Sequence, residues 1–362
     1  MQPLKQREYR WDNIKFFLIF LVILGHAGER FADDFAIERG LFMFIYTFHM
    51  PAFIFISGLF SNRTVDSDRY RYDKLLPFLG VGVVLSLFRD LSLWVWNKGH
   101  EITLIDQNKI SWFMFTLFVC YSVSWLFHKV PKKSFVMAGS IVFALAIGYC
   151  GWVDEDYALS RTIVYFPFFY AGYLIDRKKL NEYFEISTVR TNAIISTVAF
   201  FIFCLGANDR IYMFRPFLTG QHSYYDFEWG AHAYTFLIRA GYYLVAFLFM
   251  LAFMASIPDK EIKGVTSIGG KTLAIYFWHL PFVHSFLKIG PVHEFVESNL
   301  AIMLIVCLAV SVGGVYLFSL KPFVAVVNWL MNWENYRKVG SGVVNGAKRL
   351  VGKVSAGGGK KD

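Results

Sequence analysis

The sequence predicts an all-α, polytopic membrane protein of about ten transmembrane helices, with both termini in the cytoplasm. Of its 362 residues, 56% are hydrophobic and only 17% charged, whereas soluble domains run at roughly 45–50% apolar and about 25% charged. Apolar runs of spanning length recur along the chain, continuous rather than alternating with period two, which argues against a transmembrane barrel. Lys and Arg alternate in density between successive connecting segments. With the N-terminus inside, 24 of them fall on inner segments and the tail and 7 on outer loops, which is the positive-inside pattern. One span more or fewer would reverse the sign downstream.

The spans are expected near residues 11–27, 41–60, 75–96, 110–127, 134–151, 158–175, 191–205, 232–257, 272–287 and 299–326. The first follows Lys5, Arg7 and Arg10 as a signal peptide would, but Lys15 interrupts it and no A-x-A site follows, so it reads as a retained helix. The second carries FHMPAFIFISG from Phe48. Its Pro51 frees a backbone carbonyl, which membranes tolerate where it lines protein or water. The third carries Arg89 and Asp90, the sixth opens on Arg161, and the eighth carries Arg239 near its outer end. The ninth holds Tyr276 and His279, i and i+3 on one face, with Pro281 just after.

The longest outer loop, 206–231, mixes Tyr212, Arg215, His222, Tyr224, Tyr225, Asp226 and Trp229. Such a mixture suits either a carbohydrate surface or an interfacial aromatic belt. Residues 1–330 form the membrane domain. Residues 331–362 read as a basic, partly disordered cytoplasmic tail, with Val343, Val344, Ala347, Leu350, Val351 and Val354 at helical spacing for an anionic leaflet. The net charge of +9 lies on the inner side and needs no nucleic acid to explain it. The four cysteines are scattered through apolar runs without metal-ligand spacing and read as buried thiols.

Ionisable groups inside a bilayer cost about 2.5–3.5 kcal/mol each, so they are functional candidates by default. On the first helix Lys15 and His26 differ by about 20° around the axis and roughly 16 Å along it, with Asp12 within about 40° of the same line. Counted from the inner edge, His26 lies at roughly 21–23 Å, Arg89 at roughly 21 Å and His49 at roughly 17 Å. Arg239 lands at a similar depth, and Arg161 at the outer mouth. Separate structural ion pairs would explain any one of these residues; the set is better explained by one polar cavity in the outer half. An imidazole, titrating near 6.5 when unperturbed, suits proton transfer there. Lys15 sits where a cytoplasmic anion meets it, or snorkels and pairs with Asp12.

Several strings together resemble the membrane-bound acyltransferase-3 proteins, in particular the fucose 4-O-acetylase-like branch. They are Asp12, Lys15 and His26; FHMPAFIFISG from Phe48; KLLP at 74–77; SWF at 111–113; RTIVYFPFFYAGYLI from Arg161; and IYFWHLP from Ile275. They run in order up to about residue 325. Many relatives have Arg where this chain has Lys15, which keeps the charge but replaces a planar fork with a point charge.

The resemblance implies an acyltransferase domain at 1–330. It implies transfer of an acyl group, usually acetyl, from cytoplasmic acetyl-CoA or another acyl-CoA to a sugar hydroxyl. The acceptor would be a glycan or lipid-linked sugar at or beyond the cell membrane, such as an exopolysaccharide, served by the membrane domain itself. On that reading His26 is a general base or a transient acyl carrier. Arg89, Arg161 or Arg239 stabilises the oxyanion, and His49 lines the same cavity. Lys15, Asp12, Arg69, Arg71, Lys74, Ser57, Tyr276 and His279 are the candidates for holding the donor. No metal and no permanently bound cofactor is expected. A glycan transporter without chemistry is the competing reading, although the paired interrupted helices usual in transporters are not evident. A scaffold of a polysaccharide assembly is a third, and leaves the buried charges unexplained.

Overall fold

A computed structural model of the chain describes residues 8–96, 111–151, 159–227, 230–287, 289–339 and 341. Lys5, Arg7, Trp229 and the amphipathic stretch expected from Val343 lie outside the described residues. Seventeen α-helices and no strand occur among the described residues. The first six are α1 (Tyr9–Gly28), α2 (Ala36–Leu59), α3 (Asn62–Val65), α4 (Tyr72–Trp96), α5 (Trp112–Leu126) and α6 (Lys133–Ala146). Next come α7 (Leu159–Leu174), α8 (Arg177–Glu185), α9 (Ser187–Gly206), α10 (Asn208–Ile211), α11 (Arg215–Thr219) and α12 (Thr235–Ser256). The last five are α13 (Thr266–Gly269), α14 (Thr272–Leu287), α15 (Gly290–Glu297), α16 (Leu300–Phe318) and α17 (Lys321–Leu330).

Each of the ten expected spans overlaps a described helix, the last overlapping two. Among the described residues, five stretches are long and apolar enough to cross a membrane by length and composition: Ala36–Leu59, Tyr72–Ser92, Ser187–Gly206, Thr235–Ser256 and Leu300–Phe318. The last expected span is split. Its helix ends at Phe318, and α17 begins afresh at Lys321 with Pro322 in its first turn, where the missing N–H costs nothing. The Ser319 carbonyl freed at this break accepts from Lys271 Nζ at 3.1 Å.

Packing runs inside out relative to a soluble protein. Phe135, Val142, Ile195, Ile202 and Ile305 on α6, α9 and α16 are all 60% or more exposed, an apolar surface of the kind that faces lipid. By contrast α1 buries Trp11, Ile14, Leu18, Ile19, Ile23 and Ala27 around most of its circumference, as a helix enclosed by others does. It packs against α2, α13, α14 and α16.

The N-terminal end of α1 is anchored by polar bonds. Arg10, wholly buried, donates to the carbonyls of Ile257 at 2.9 Å and Asn181 at 3.0 Å, and pairs with Glu185. Asn13 donates to the carbonyls of Pro258 and Lys260 and accepts from Thr266 Oγ1 at 2.6 Å. Gly269 of α13 lies so close that a Cβ there would sit 1.9 Å from the Asp12 carbonyl oxygen. These bonds set the height of α1, and so the position of whatever its other end carries.

Candidate active site

His26 lies in the last turn of α1, and the chain continues through a 3-10 turn, Glu29–Phe31. The tighter winding keeps Glu29 beside the imidazole, with Oε2 3.6 Å from His26 Nδ1. Across from them α2 presents Tyr46, whose ring occupies the space left by Gly25; a Cβ on Gly25 would lie 2.9 Å from it. The Tyr46 hydroxyl donates to Glu29 Oε2 at 3.0 Å and lies 3.3 Å from His26 Nδ1. From the 206–231 loop, Arg215 at the start of α11 donates to Glu29 Oε1 at 2.8 Å and to the Tyr212 hydroxyl at 2.8 Å. Its guanidinium lies 4.8 Å from the centre of the Phe42 ring, which stacks on Tyr46. Burial pushes the Glu29 carboxyl up, but its bonds and the neighbouring His26 and Arg215 outweigh burial and hold it at about 2. Glu29 is therefore an anion at neutral pH.

These groups form one wall of a cavity of about 580 Å³, within the range of small-molecule sites. Arg161 of α7 also lines the cavity, bonded to the side-chain oxygen of Gln221 and lying 4.8 Å over the Trp112 ring. Trp112 in turn stacks on Tyr165. Among the described residues no carboxylate pairs with Arg161. Arg89, His49, Tyr276 and His222 complete the polar lining. His222 is faced by Asp226 at 3.2 Å, yet burial pushes its imidazole down.

Of the residues expected at one cavity, His26, His49, Arg89 and Arg161 line it from four helices, and Tyr276 joins them from α14; Asp90 is buried but does not line it. His279 stands just behind it, fully buried, its ring centre 5.6 Å from that of His26 and its Nδ1 on the Tyr276 carbonyl. Tyr276 and His279, grouped by sequence with the donor-holding residues, thus stand at the level of His26. Arg239 is not among the lining residues. It spends its guanidinium on the carbonyls of Ala144 at 3.2 Å and His222 at 2.9 Å, over the Tyr224 ring, and so holds the 206–231 loop against α6.

The remaining expected residues lie apart from this cavity. Lys15 and Asp12 pair at 2.9 Å, both part-exposed. Arg69 and Lys74 are exposed, and Arg71 makes a two-bond fork with Asp73 at 2.8 and 2.9 Å. Ser57 Oγ donates to the Phe53 carbonyl within its own helix. Sequence pattern assigns no role to Glu29, Tyr46, Trp112, Tyr165 or Gln221, all of which the site uses. Glu29 alone carries a local signal, being three residues beyond His26.

A sequence model described as an acyltransferase domain matches residues 8–320. Nodulation protein NolL of Sinorhizobium fredii (strain NBRC 101917 / NGR234) is 26% identical over 186 residues, which is 46% of this chain and 48% of that protein. The chain thus spans about half the length of this curated relative. No solved structure matches it. With the family model covering nearly all of the helical domain that builds the cavity, the chain belongs to the membrane-bound acyltransferase-3 family.

Proposed function

We propose that the protein is an O-acyltransferase that moves an acetyl group from cytoplasmic acetyl-CoA to a sugar hydroxyl of a glycan on the outer side of the cell membrane. The observation that carries this reading is His26 in a cavity bounded by Arg161, Arg89 and the Trp112 face. An imidazole suits proton transfer, guanidinium groups suit a developing oxyanion, and an aromatic face suits the apolar side of a sugar ring. His26 Nε2 takes the proton of the acceptor hydroxyl as its oxygen attacks the thioester carbonyl. The C–O bond forms, the C–S bond breaks, and the proton passes to the departing CoA thiolate. With ten crossings and both termini inside, Lys15 faces the donor and His26 the acceptor. The pantetheine arm spans the roughly 16 Å between them along α1.

Sealed inside-out membrane vesicles test chemistry and sidedness together. Acetyl-CoA supplied to the cytoplasmic face, with a glycan panel enclosed, is expected to release free CoA and acetylate the enclosed glycan. Glycan movement without CoA release would favour a transporter and overturn the proposal. Lys15→Ala in the same vesicles is expected to raise the KM for acetyl-CoA several-fold at unchanged kcat, since charge at this site acts on binding. An unchanged concentration dependence would remove Lys15 from the donor site.

A further inference from the structure

We infer that Glu29, clamped by Arg215 of the outer loop, is a positioning carboxylate that works with Tyr46 to fix which nitrogen of His26 carries the proton. This rests on the reading of His26 as the base.

Proton counting makes the assignment. A phenol has one proton to donate, and an ionised carboxylate only accepts. Tyr46 gives its proton to Glu29 Oε2 at 3.0 Å. Its oxygen, 3.3 Å from His26 Nδ1, then faces that nitrogen with lone pairs. Glu29 Oε2, 3.6 Å from the same nitrogen, is again an acceptor. Facing these two acceptors, Nδ1 carries the hydrogen. The lone pair is thereby assigned to Nε2, the tautomer a base needs.

The arrangement also favours the imidazolium formed when His26 takes a proton, because a carboxylate lies beside it. Arg215 prevents Glu29 from turning away, holding its second oxygen at 2.8 Å. Because Arg215 belongs to the loop that roofs the cavity, the base is fully assembled only when that loop is seated. The charged and titratable groups facing Glu29 are His26, Arg30, Tyr46, His49, Arg161, Tyr212 and Arg215, and His26 also faces His49 and His279. Among these, Glu29 is the single anion, so neutralising it changes the balance at the imidazole most.

The test is Glu29→Gln in the vesicle assay, at equal membrane abundance and alongside His26→Ala. The expected result is a kcat lowered about 100-fold or more, in line with wrong-tautomer and orienting-group losses. The KM for acetyl-CoA should stay within about 2-fold, and the acid limb of the kcat/KM profile should move to lower pH, since the imidazolium has lost its counter-charge. Glu29→Asp should recover part of the loss, and Arg215→Lys should lose less than Arg215→Ala. An inactive His26→Ala beside a Glu29→Gln of wild-type kcat and pH profile would overturn this inference while leaving the function standing. Loss of kcat with an unmoved profile would also overturn it, because a structural defect alone does that. An active His26→Ala would instead remove the reading beneath it. If Glu29→Gln does not assemble, Tyr46→Phe, which deletes one oxygen, decides: kcat lowered about 10-fold supports the inference, and unchanged kcat overturns it.

Discussion

Replacing His26 with alanine is expected to lower acyl transfer by at least about 100-fold, and as far as about 10,000-fold, at equal protein in the membrane. The loss should appear in kcat and kcat/KM together, since the imidazole acts on a proton that moves only in the transition state. His26→Gln is the stricter variant. It keeps a polar side chain within reach of Tyr46 and Glu29 but supplies no basic nitrogen, so it should be nearly as inactive. Neither change should unfold the protein, because His26 is only half-buried at a helix end and its removal leaves Glu29 still held by Tyr46 and Arg215. Glycan acylation close to the wild-type level in either variant, read as acetyl ester per unit of protein, would sink the proposed mechanism.

What is legible in the sequence follows from what a helix preserves. Rise and turn per residue convert sequence number into depth and azimuth, so position in the chain alone ranks Lys15, His26, His49 and Arg89 by depth. The same arithmetic does not reach past the helix end. Glu29 lies in a 3-10 turn, where the α-helical period no longer applies. Arg215 meets it from a loop 186 residues away, and nothing periodic links the two. Depth also does not fix direction between helices: Arg239 points to the carbonyls of Ala144 and His222. Tyr46 is hidden for a different reason. In a helix crowded with Phe42, Phe44 and Phe48, one more ring carries no signal until its hydroxyl is seen to have partners.

Gly172→Ala is expected to cost about 3 kcal/mol or more and to leave little assembled protein, the upper end of overpacking penalties. The reason lies in how α2 and α7 meet. A Cβ at Gly172 would sit 2.1 Å from the Phe55 carbonyl oxygen, and one at Gly58 would sit 1.9 Å from the Phe169 carbonyl oxygen. Both obstacles are backbone, so no rotamer change relieves them; the helices must separate or slide. That contact sets the register of the two helices. α2 carries Tyr46 and His49 into the cavity, and α7 carries Arg161. A slide that spares stability would still displace Arg161 relative to His26, and a shift of this order is enough to cost about 100-fold in rate. Gly313→Ala on the exposed side of α16 is the control, since a Cβ there meets nothing within 4 Å. It should be neutral or slightly stabilising, alanine being the better helix former. Thermal melting in detergent, followed by size-exclusion chromatography, reads both variants. A Gly172→Ala protein that melts with the wild type and acetylates at the wild-type rate would contradict the close contact of α2 with α7 as the element that aligns the site.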